Sequence, residues 1–218
     1  MLEINKIYNQ DCIEGLNGIK DNSIDLIIID PPYGINYQSN RRKDKFEVIV
    51  NDDVLFIPLD DLWRVLKPSG CMFIFYSHKV PLIDNRVKNI IVWVKDNWTV
   101  GDLEGDFGNQ YELCAFMPKN DFKLRSKRFS NVWNFKRIDG TKSLHPTQKP
   151  TDLIRRLVKC GSNEGDLVLD CFMGSGTTAE ACKQLKRNFI GFEISKEYCD
   201  IANKRLQQEN LLEILKTE

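Results

Sequence analysis

Short apolar runs alternate with amphipathic stretches along most of the chain, and this alternation predicts its secondary structure. Apolar runs predict strands at residues 4–8, 24–29, 71–77, 89–95, 111–118, 166–171 and 188–193. Helical spacing predicts one helix that begins near Asp11. It predicts four further helices at residues 59–66, 149–160, 179–186 and 195–208. Strands that alternate with helices are typical of an α/β fold with a doubly wound, mostly parallel sheet. We therefore predict a single domain that spans residues 1–218.

The composition is that of an ordinary globular protein, since 28% of the 218 residues are charged and 42% are hydrophobic. No apolar run approaches the roughly 18 residues that a membrane-spanning helix needs. The N-terminal residues MLEINKIYNQ lack the basic start and the apolar core of a signal peptide. These observations argue against a membrane protein and predict a cytoplasmic one.

The chain has seven cysteines, which indicate neither a disulfide framework nor a metal centre. Their number is odd, no C-x-x-C pair occurs, and several lie inside strand-like apolar runs. His78 and His145 are the only histidines, so the side chains that zinc prefers are few and scattered. We expect reduced cysteines in the core and no bound metal.

Basic residues are concentrated in two segments, although the formal net charge of the chain is zero. Residues 119–149 contain nine Lys or Arg against two Asp, and residues 40–45 form a second basic cluster. Local basic patches are typical of surfaces that bind nucleic acid, and a solvated charged loop is the alternative. The residues expected to contact phosphates are Arg41, Arg42, Lys43, Lys123, Arg125, Lys127, Arg128, Lys136 and Arg137.

The stretch IDLIIIDPPYGINY at residues 24–37 joins a buried strand to a turn that carries a carboxylate. The apolar run ends on Asp30, and the residues that follow are Pro31, Pro32 and Tyr33. One interpretation is a strand that simply ends in a proline turn. The other is a binding site for an amino group, because parallel sheets present ligand-binding residues at the carboxyl ends of their strands.

A second candidate site lies in the C-terminal third of the chain. A predicted strand ends at Asp170, Gly174 and Gly176 form a turn into a helix, and Glu193 ends the next strand. Glycines let the backbone approach a ligand, and an acidic residue about 20 positions further on can accept hydrogen bonds from ribose hydroxyls. The segment therefore predicts a nucleotide-type cofactor. Ala179 takes the third glycine position of the dinucleotide fingerprint, which weakens NAD as a candidate without excluding it.

The motifs DPPYGINY, HPTQKP and DCFMGSGTT…GFE occur in this order, with the basic segment between the first and the last. This ordered set resembles the amino-group DNA methyltransferases of the β-type circular arrangement, from about Ile7 to about Leu206. One departure is Cys171, where that family commonly has proline. The resemblance implies a Rossmann-like methyltransferase fold, S-adenosylmethionine as methyl donor, DNA as substrate and a target base that is flipped out of the duplex.

The same resemblance implies roles for individual residues. The Asp30 carboxylate and the Pro31 carbonyl are expected to accept hydrogen bonds from the target amine. Pro32 restricts the backbone of Pro31, and Tyr33 is expected to stack on the base. The residues expected around the cofactor are Asp11, Cys12, Lys149, Asp170, Phe172, Gly174, Ser175, Gly176, Thr177 and Glu193. Asp11 also suits a helix N-cap, and facing DNA is the alternative role of Lys149.

Within that family D-P-P-Y favours adenine N6 over cytosine N4, so the resemblance predicts an adenine-N6 DNA methyltransferase. A cytosine-N4 enzyme and an RNA or protein amino-methyltransferase of the same fold are the alternatives. Residues 101–144 are the expected target-recognition insertion, in which Asn120, Asn131 and Asn134 are candidates to read an adenine edge. A homodimer and a separate cognate restriction enzyme are left open as partners.

Overall fold

The computed structural model describes residues 2–33, 57–98, 104–105, 107–139 and 147–217, with side chains described up to residue 208. The strands are β1 (Lys6–Asn9), β2 (Ile24–Ile29), β3 (Leu66–Tyr76), β4 (Asn89–Val94), β5 (Tyr111–Pro118), β6 (Val132–Asn134), β7 (Leu167–Asp170) and β8 (Asn188–Glu193). The helices are α1 (Cys12–Asn17), α2 (Leu59–Val65), α3 (Thr151–Gly161), α4 (Thr177–Gln184) and α5 (Lys196–Thr217). Within these ranges, no helix combines the length and the apolar character that crossing a membrane requires.

All of these strands join one sheet in the order β1-β8-β7-β2-β3-β5-β4-β6. Neighbouring strands are parallel except at β5, which runs antiparallel to both β3 and β4. The predicted α/β fold with a mostly parallel sheet is confirmed. Because the other strands all point the same way, their C-terminal ends meet at one edge of the sheet. We call this the carboxyl edge, and the opposite one the amino edge.

Strand β2 shows why the centre of this sheet needs a continuous apolar run. Leu26 and Ile28 pack into the core on one face, together with residues of α3 and α4. Ile27 and Ile29 pack into the core on the other face, together with residues of α1 and α2. All four side chains are buried. Helices cover both faces of this strand, so residues 26–29 are apolar without alternation, and the charged Asp25 lies near the amino edge.

Strand β3 begins earlier than the sequence predicts, because Leu66 already pairs with Ile24 of β2. The next pair joins Cys71 to Leu26, so the intervening residues of β3 form a bulge. The Pro-Ser-Gly in that bulge is also typical of a helix end. Pairing with β2, which the sequence does not show, makes it part of the strand.

Part of the predicted insertion at residues 101–144 belongs to the sheet. Strand β5 lies between β3 and β4, and the short β6 pairs with β4 at the end of the sheet. The sequence does not predict β6, because three residues carry too little periodicity to be recognised. The role of this segment in reading DNA stays a prediction.

All seven cysteines are free and buried, as the sequence predicts for core residues. Burial is the main cause that raises the pKa of the Cys12 thiol to about 11 and raises the pKa of Cys71 and Cys171 well above the ordinary value. These thiols are therefore neutral at physiological pH and behave as small apolar side chains.

Candidate active site at the carboxyl edge of the sheet

Three acidic residues with predicted functions lie at the C-terminal ends of adjacent strands. Asp30 directly follows β2, Asp170 is the last residue of β7, and Glu193 is the last residue of β8. These strands are neighbours in the order β8-β7-β2. The fold therefore brings together two candidate sites that are far apart in the sequence, at the edge where open α/β sheets bind ligands.

Both oxygens of the Asp30 carboxylate have donors. The Tyr33 hydroxyl donates to Asp30 Oδ1 at 2.6 Å, and the Lys149 ammonium donates to Oδ2 at 2.5 Å. The Asp30 side chain is 23% exposed, so it can still be reached from outside. The predicted stacking role of Tyr33 stays a prediction, and the structure adds a contact between its hydroxyl and the carboxylate.

The electrostatic environment of Asp30 combines burial with charges of both signs. Burial raises the pKa of the Asp30 carboxyl, the Lys149 charge lowers it, the Glu112 charge raises it, and the resulting pKa lies above the ordinary value. Burial would lower the pKa of Lys149, but the charges of Asp30 and Glu112 outweigh burial and raise it. Lys149 therefore favours its cationic form, and its charge favours the ionised form of Asp30.

Glu112 and Lys95 belong to the same charge cluster, although the sequence does not single them out. The Lys149 ammonium lies 3.1 Å from Glu112 Oε2, and the Lys95 ammonium lies 2.6 Å from Glu112 Oε1. Burial would raise the pKa of Glu112, but the two lysine charges outweigh it, and the pKa is lowered. Acidic and basic side chains thus alternate along the carboxyl edge in the order Asp30, Lys149, Glu112, Lys95.

Lys149 does not have the exposed position that a DNA-facing role requires. Only 6% of its side chain is exposed, so it does not form an open surface for DNA phosphates. Its Nζ lies 5.0 Å from the centre of the Phe75 ring and 5.8 Å from that of Tyr33, as well as against Asp30. Its contact with the cofactor stays a prediction.

The Gly-rich loop after β7 is braced by the two acidic strand ends. Gly174 N–H donates to Glu193 Oε2 at 2.7 Å, and Phe172 N–H donates to Asp170 Oδ1 at 2.9 Å. Gly174 and Gly176 have φ of 52° and 83°, in the left-handed region that favours glycine. The predicted turn is therefore real, and α4 begins directly after it at Thr177.

Both acidic residues that brace this loop have raised pKa values. Burial is the largest cause and raises the pKa of Asp170 to about 7, although hydrogen bonds from Thr178 and Phe172 oppose it. Burial also raises the pKa of Glu193, whose Oε1 accepts a hydrogen bond from Ser195 N–H at 2.8 Å. A buried carboxylate at the end of a strand, bound to backbone donors, is a group that can also accept from a polar ligand.

Arg205 of α5 is a further residue at this loop that the sequence does not indicate. Its guanidinium donates to the Ser175 carbonyl at 3.2 Å and to Thr177 Oγ1 at 3.3 Å, and it pairs with the Glu180 carboxylate. Ser175 and Thr177 are themselves buried. An arginine on a predicted amphipathic helix is ordinarily a surface residue, so only the packing of α5 against the loop reveals this contact.

Asp11 lies close to the end of β8 and serves as the N-cap of α1. Its Oδ1 accepts a hydrogen bond from Ile13 N–H at 2.8 Å. The neighbouring Asn9 side chain donates to the Glu193 carbonyl at 2.9 Å, which joins the ends of β1 and β8. Asp11 and the buried Cys12 are therefore near the Gly-rich loop, and their contact with a cofactor stays a prediction.

We expect Gly176→Ala to destabilise the protein and to weaken binding of the predicted cofactor. Its φ of 83° is unfavourable for alanine, and the new Cβ would lie 2.9 Å from the Ala202 Cβ. The expected loss in the free energy of unfolding is about 1–3 kcal/mol, measured by urea denaturation. Gly165→Ala is the matched control, because Gly165 has the same φ of 83° with no atom within 4 Å. Equal effects of both changes on cofactor affinity would contradict the role of the loop.

Some of the predicted phosphate-contacting residues lie at the amino edge, away from Asp30. Arg125 N–H donates to the Cys160 carbonyl at 3.0 Å, and its guanidinium donates to the Ser69 carbonyl at 3.2 Å. Lys123 is in the same turn and is exposed. The length of β2 separates this edge from Asp30 by about 20 Å. The structure therefore does not support contacts of Lys123 and Arg125 with DNA bound at Asp30, because a neighbouring position in sequence does not mean a common surface.

Two further predicted basic residues lie at the carboxyl edge. Lys136 and Arg137 follow β6 and are exposed, and Arg137 N–H donates to Asp96 Oδ1 at 3.0 Å beyond the end of β4. Lys127 and Arg128 are also exposed and lie in the connection that leads to β6. The remaining predicted contacts, Arg41, Arg42 and Lys43, lie outside the described residues.

Comparisons with known proteins agree with this arrangement. Residues 24–204 match the family model described as DNA methylase. The Type II methyltransferase M.HpaI of Haemophilus parainfluenzae is 31% identical over 234 residues, which cover 94% of this chain and 74% of that protein. The DNA adenine methyltransferase YhdJ of Escherichia coli (strain K12) is 32% identical over 246 residues, which cover 94% and 83%. The crystal structure of the M1.HpyAVI–SAM complex superimposes with a TM-score of 0.70 at 32% identity and covers 92% of this chain and 98% of that one.

The family match spans most of the chain and includes Asp30, the Gly-rich loop and Glu193. This protein therefore belongs to the DNA methylase family. The resemblance that the ordered motifs indicate is confirmed, and so is the prediction that the protein is an enzyme that methylates DNA.

Proposed function

We propose that this enzyme transfers a methyl group from S-adenosylmethionine to N6 of an adenine in DNA. The observation that carries the proposal is the position of Asp30. Its partly exposed carboxylate lies at the carboxyl edge, on the strand adjacent to the one that leads into the Gly-rich loop. The relative named as a DNA adenine methyltransferase and the similar structure solved with S-adenosylmethionine support the choice of base and of methyl donor.

The Gly-rich loop fits a methyl donor of the nucleoside type. The left-handed turn at Gly174 and Gly176 has no side chains that would block a ligand. Each oxygen of Glu193 uses one backbone donor and keeps a second lone pair for a ribose hydroxyl. When bound there, S-adenosylmethionine supplies a methyl group made electrophilic by the attached sulfonium. Phe172, Ser175 and Thr177 are the further residues proposed to line this site.

Asp30 would make the target amine reactive by accepting one of its hydrogen bonds. The lone pair of an exocyclic amine is delocalised into the base, so the free amine is a poor nucleophile. A carboxylate on one N–H, with the Pro31 carbonyl proposed as the acceptor for the other, favours the electron distribution that attack requires. Forming the new N–C bond breaks the methyl–sulfur bond, whose electron pair stays on sulfur. The nitrogen becomes positive and then loses a proton to solvent. A fixed negative charge beside it therefore stabilises the transition state more than the ground state.

The target base must leave the duplex to reach Asp30, at a cost of a few kcal/mol. Asp30 and the proline carbonyl can bind the amine of adenine or of cytosine, so the local chemistry permits both. The relatives favour adenine over the cytosine-N4 alternative. The family match to a DNA methylase likewise favours DNA over RNA or protein.

The proposal is tested by incubating the purified protein with methyl-labelled S-adenosylmethionine and with DNA, RNA or protein. Nucleosides released from the product DNA are then identified by mass spectrometry. We expect label in N6-methyl-2′-deoxyadenosine from DNA, and none above background with the Asp30→Ala variant. Label in N4-methylcytosine, or a preference for RNA or protein, would overturn the choice of substrate.

We also propose that DNA phosphates contact Lys136 and Arg137 at the carboxyl edge. Replacing both by Ala is expected to lower DNA affinity and to reduce the slope of log K against log salt by about 2, or about 1 per phosphate contact. Lys123→Ala is the control, because this exposed lysine lies at the amino edge. The measurement is fluorescence anisotropy with a labelled duplex over a salt series. Equal slopes for the double variant and the control would contradict this surface.

The other expected properties stay predictions. They are the phosphate contacts of Lys127, Arg128, Arg41, Arg42 and Lys43, the recognition role of residues 101–144, a cytoplasmic location, a homodimer and a separate restriction enzyme.

A further inference from the structure

Asp30 already has a cationic partner where the target amine must bind. The Lys149 ammonium lies 2.5 Å from Asp30 Oδ2. The amine becomes positive as the methyl group is transferred, so a neighbouring ammonium repels it and weakens the attraction of the carboxylate. An arrangement that favours methyl transfer therefore requires the Lys149 ammonium to lie further from Asp30 than it does here.

Glu112 provides the nearest alternative partner for Lys149. Its Oε2 lies 3.1 Å from the Lys149 ammonium, close enough for an ion pair. This oxygen is buried, and the ammonium that pairs with it donates its shorter hydrogen bond to Asp30. A buried carboxylate oxygen is more stable with a well-aligned donor. A small shift of the ammonium from Asp30 towards Glu112 would shorten the 3.1 Å contact and improve that hydrogen bond.

Lys149 is confined between these two carboxylates. It is 6% exposed, and its Nζ lies 5.0 Å from the centre of the Phe75 ring. Moving the ammonium into solvent would leave two carboxylates in a poorly hydrated site without a cation. A shift from one carboxylate to the other keeps the charge paired throughout, and is therefore the less costly displacement.

Lys95 holds Glu112 in place from the other side of its carboxylate. The Lys95 ammonium lies 2.6 Å from Glu112 Oε1, 9% of the Lys95 side chain is exposed, and its Nζ lies 5.3 Å from the centre of the Trp93 ring. Two carboxylates and two ammonium groups form a neutral cluster. Its total charge does not depend on which carboxylate Lys149 contacts more closely.

We propose that Glu112 is a positioning residue that draws Lys149 away from Asp30 when the target base enters the site. Lys95 fixes Glu112 for this purpose. The proposal rests on the function proposed above, because it assumes that the amine binds to Asp30. Glu112 itself acts only through Lys149 and touches neither the base nor the methyl donor.

The first test is Glu112→Gln, which removes the charge and keeps the shape of the side chain. Lys149 would then remain on Asp30, and we expect kcat to fall by about tenfold to a hundredfold, in the range found for coupled neighbours. Affinity for S-adenosylmethionine should change little, whereas the thermal midpoint should fall, because the buried cluster loses one of its two negative charges. Glu112→Asp keeps the charge and should retain more activity than Glu112→Gln. Lys95→Gln loosens Glu112 without removing it and should give a smaller loss than Glu112→Gln.

A double-mutant cycle with Lys149→Met separates positioning from a general structural effect. It is measured on the alkaline plateau of each variant, where Asp30 is ionised. If the defect of Glu112→Gln comes from Lys149 remaining on Asp30, the double variant should be no slower than Lys149→Met alone. A wild-type kcat for both Glu112→Gln and Lys95→Gln, or defects of Glu112→Gln and Lys149→Met that multiply, would overturn the proposal.

Base entry is monitored independently by the fluorescence of a duplex with 2-aminopurine next to the target adenine, because this neighbour unstacks when the adenine leaves the duplex. Glu112→Gln should reduce the fluorescence increase on binding, since Lys149 competes for Asp30, and an unchanged increase would count against the proposal. Failure of the wild-type protein to methylate DNA would instead refute the proposed function. Normal wild-type methylation with an unaffected Glu112→Gln variant would refute only the role of Glu112.

Discussion

Asp30→Ala is expected to lower kcat for DNA methylation by about a thousandfold, because it removes the charged acceptor for the target amine. Asp30→Asn keeps an acceptor oxygen of similar position without the charge, and its loss should be intermediate. Replacing Asp30 should lower kcat more than it lowers DNA affinity, since the amine becomes positive only during methyl transfer. Single-turnover kinetics with labelled S-adenosylmethionine measures the methyl-transfer step directly.

Asp25→Asn is the matched control for this prediction. Asp25 lies on the same strand near the amino edge, where its carboxylate pairs with Lys67 at 2.7 Å and accepts from Leu167 N–H at 3.0 Å. Its replacement should lower the thermal midpoint and leave kcat nearly unchanged. If Asp30→Ala costs no more activity than Asp25→Asn, Asp30 is a structural residue and the proposed mechanism fails.

Lys149→Met is expected to move the acid limb of the pH profile of kcat/KM to higher pH by about one to three pH units. Burial raises the pKa of Asp30, and the Lys149 charge is the largest influence that lowers it. Without that charge the pKa rises further. Only ionised Asp30 offers the amine a charged acceptor, so activity falls as the pH drops below the raised pKa of the variant. It should return as the pH rises above the new pKa.

The size of this shift depends on every charged or titratable group that influences Asp30. Among the residues that the structure describes, these groups are Tyr33 in the following turn, Lys149 before α3, Glu112 and Cys114 on β5, and Asp170 at the end of β7. Lys95→Met is the control, because Lys95 contacts Glu112 and not Asp30. It should shift the limb less than Lys149→Met. If the acid limb of the kcat/KM profile does not move in Lys149→Met, a group other than Asp30 determines its pKa.

The two motif-bearing turns could be predicted from the sequence because their chemistry is local. Asp30 ends an apolar run that suits a strand covered on both faces, and two prolines stop the strand there. Gly174 and Gly176 adopt the left-handed conformation for which glycine is the best residue. In both cases the cause lies within a few residues of the effect, so the local sequence is sufficient.

Features of the fold that depend on pairing between distant segments could not be predicted from the sequence. The bulge at the start of β3 depends on pairing with β2, and β6 exists only because β4 offers it a partner. The basic segment likewise looks continuous in sequence, yet Arg125 lies at the amino edge and Arg137 at the carboxyl edge. Charge counted along a chain does not show on which side of the sheet each residue emerges.

The sequence by itself determined that this protein has an α/β sheet, a carboxylate in a proline turn and a glycine turn for a cofactor. Each of these follows from the properties of neighbouring residues. Only the tertiary structure placed Lys149 on Asp30, which is 119 positions away, and Glu112 and Lys95 beside them. Side chains from separate segments lie together because parallel strands end at the same edge of the sheet. The periodicity of the sequence predicts individual strands and helices, but it does not predict which distant segments come into contact.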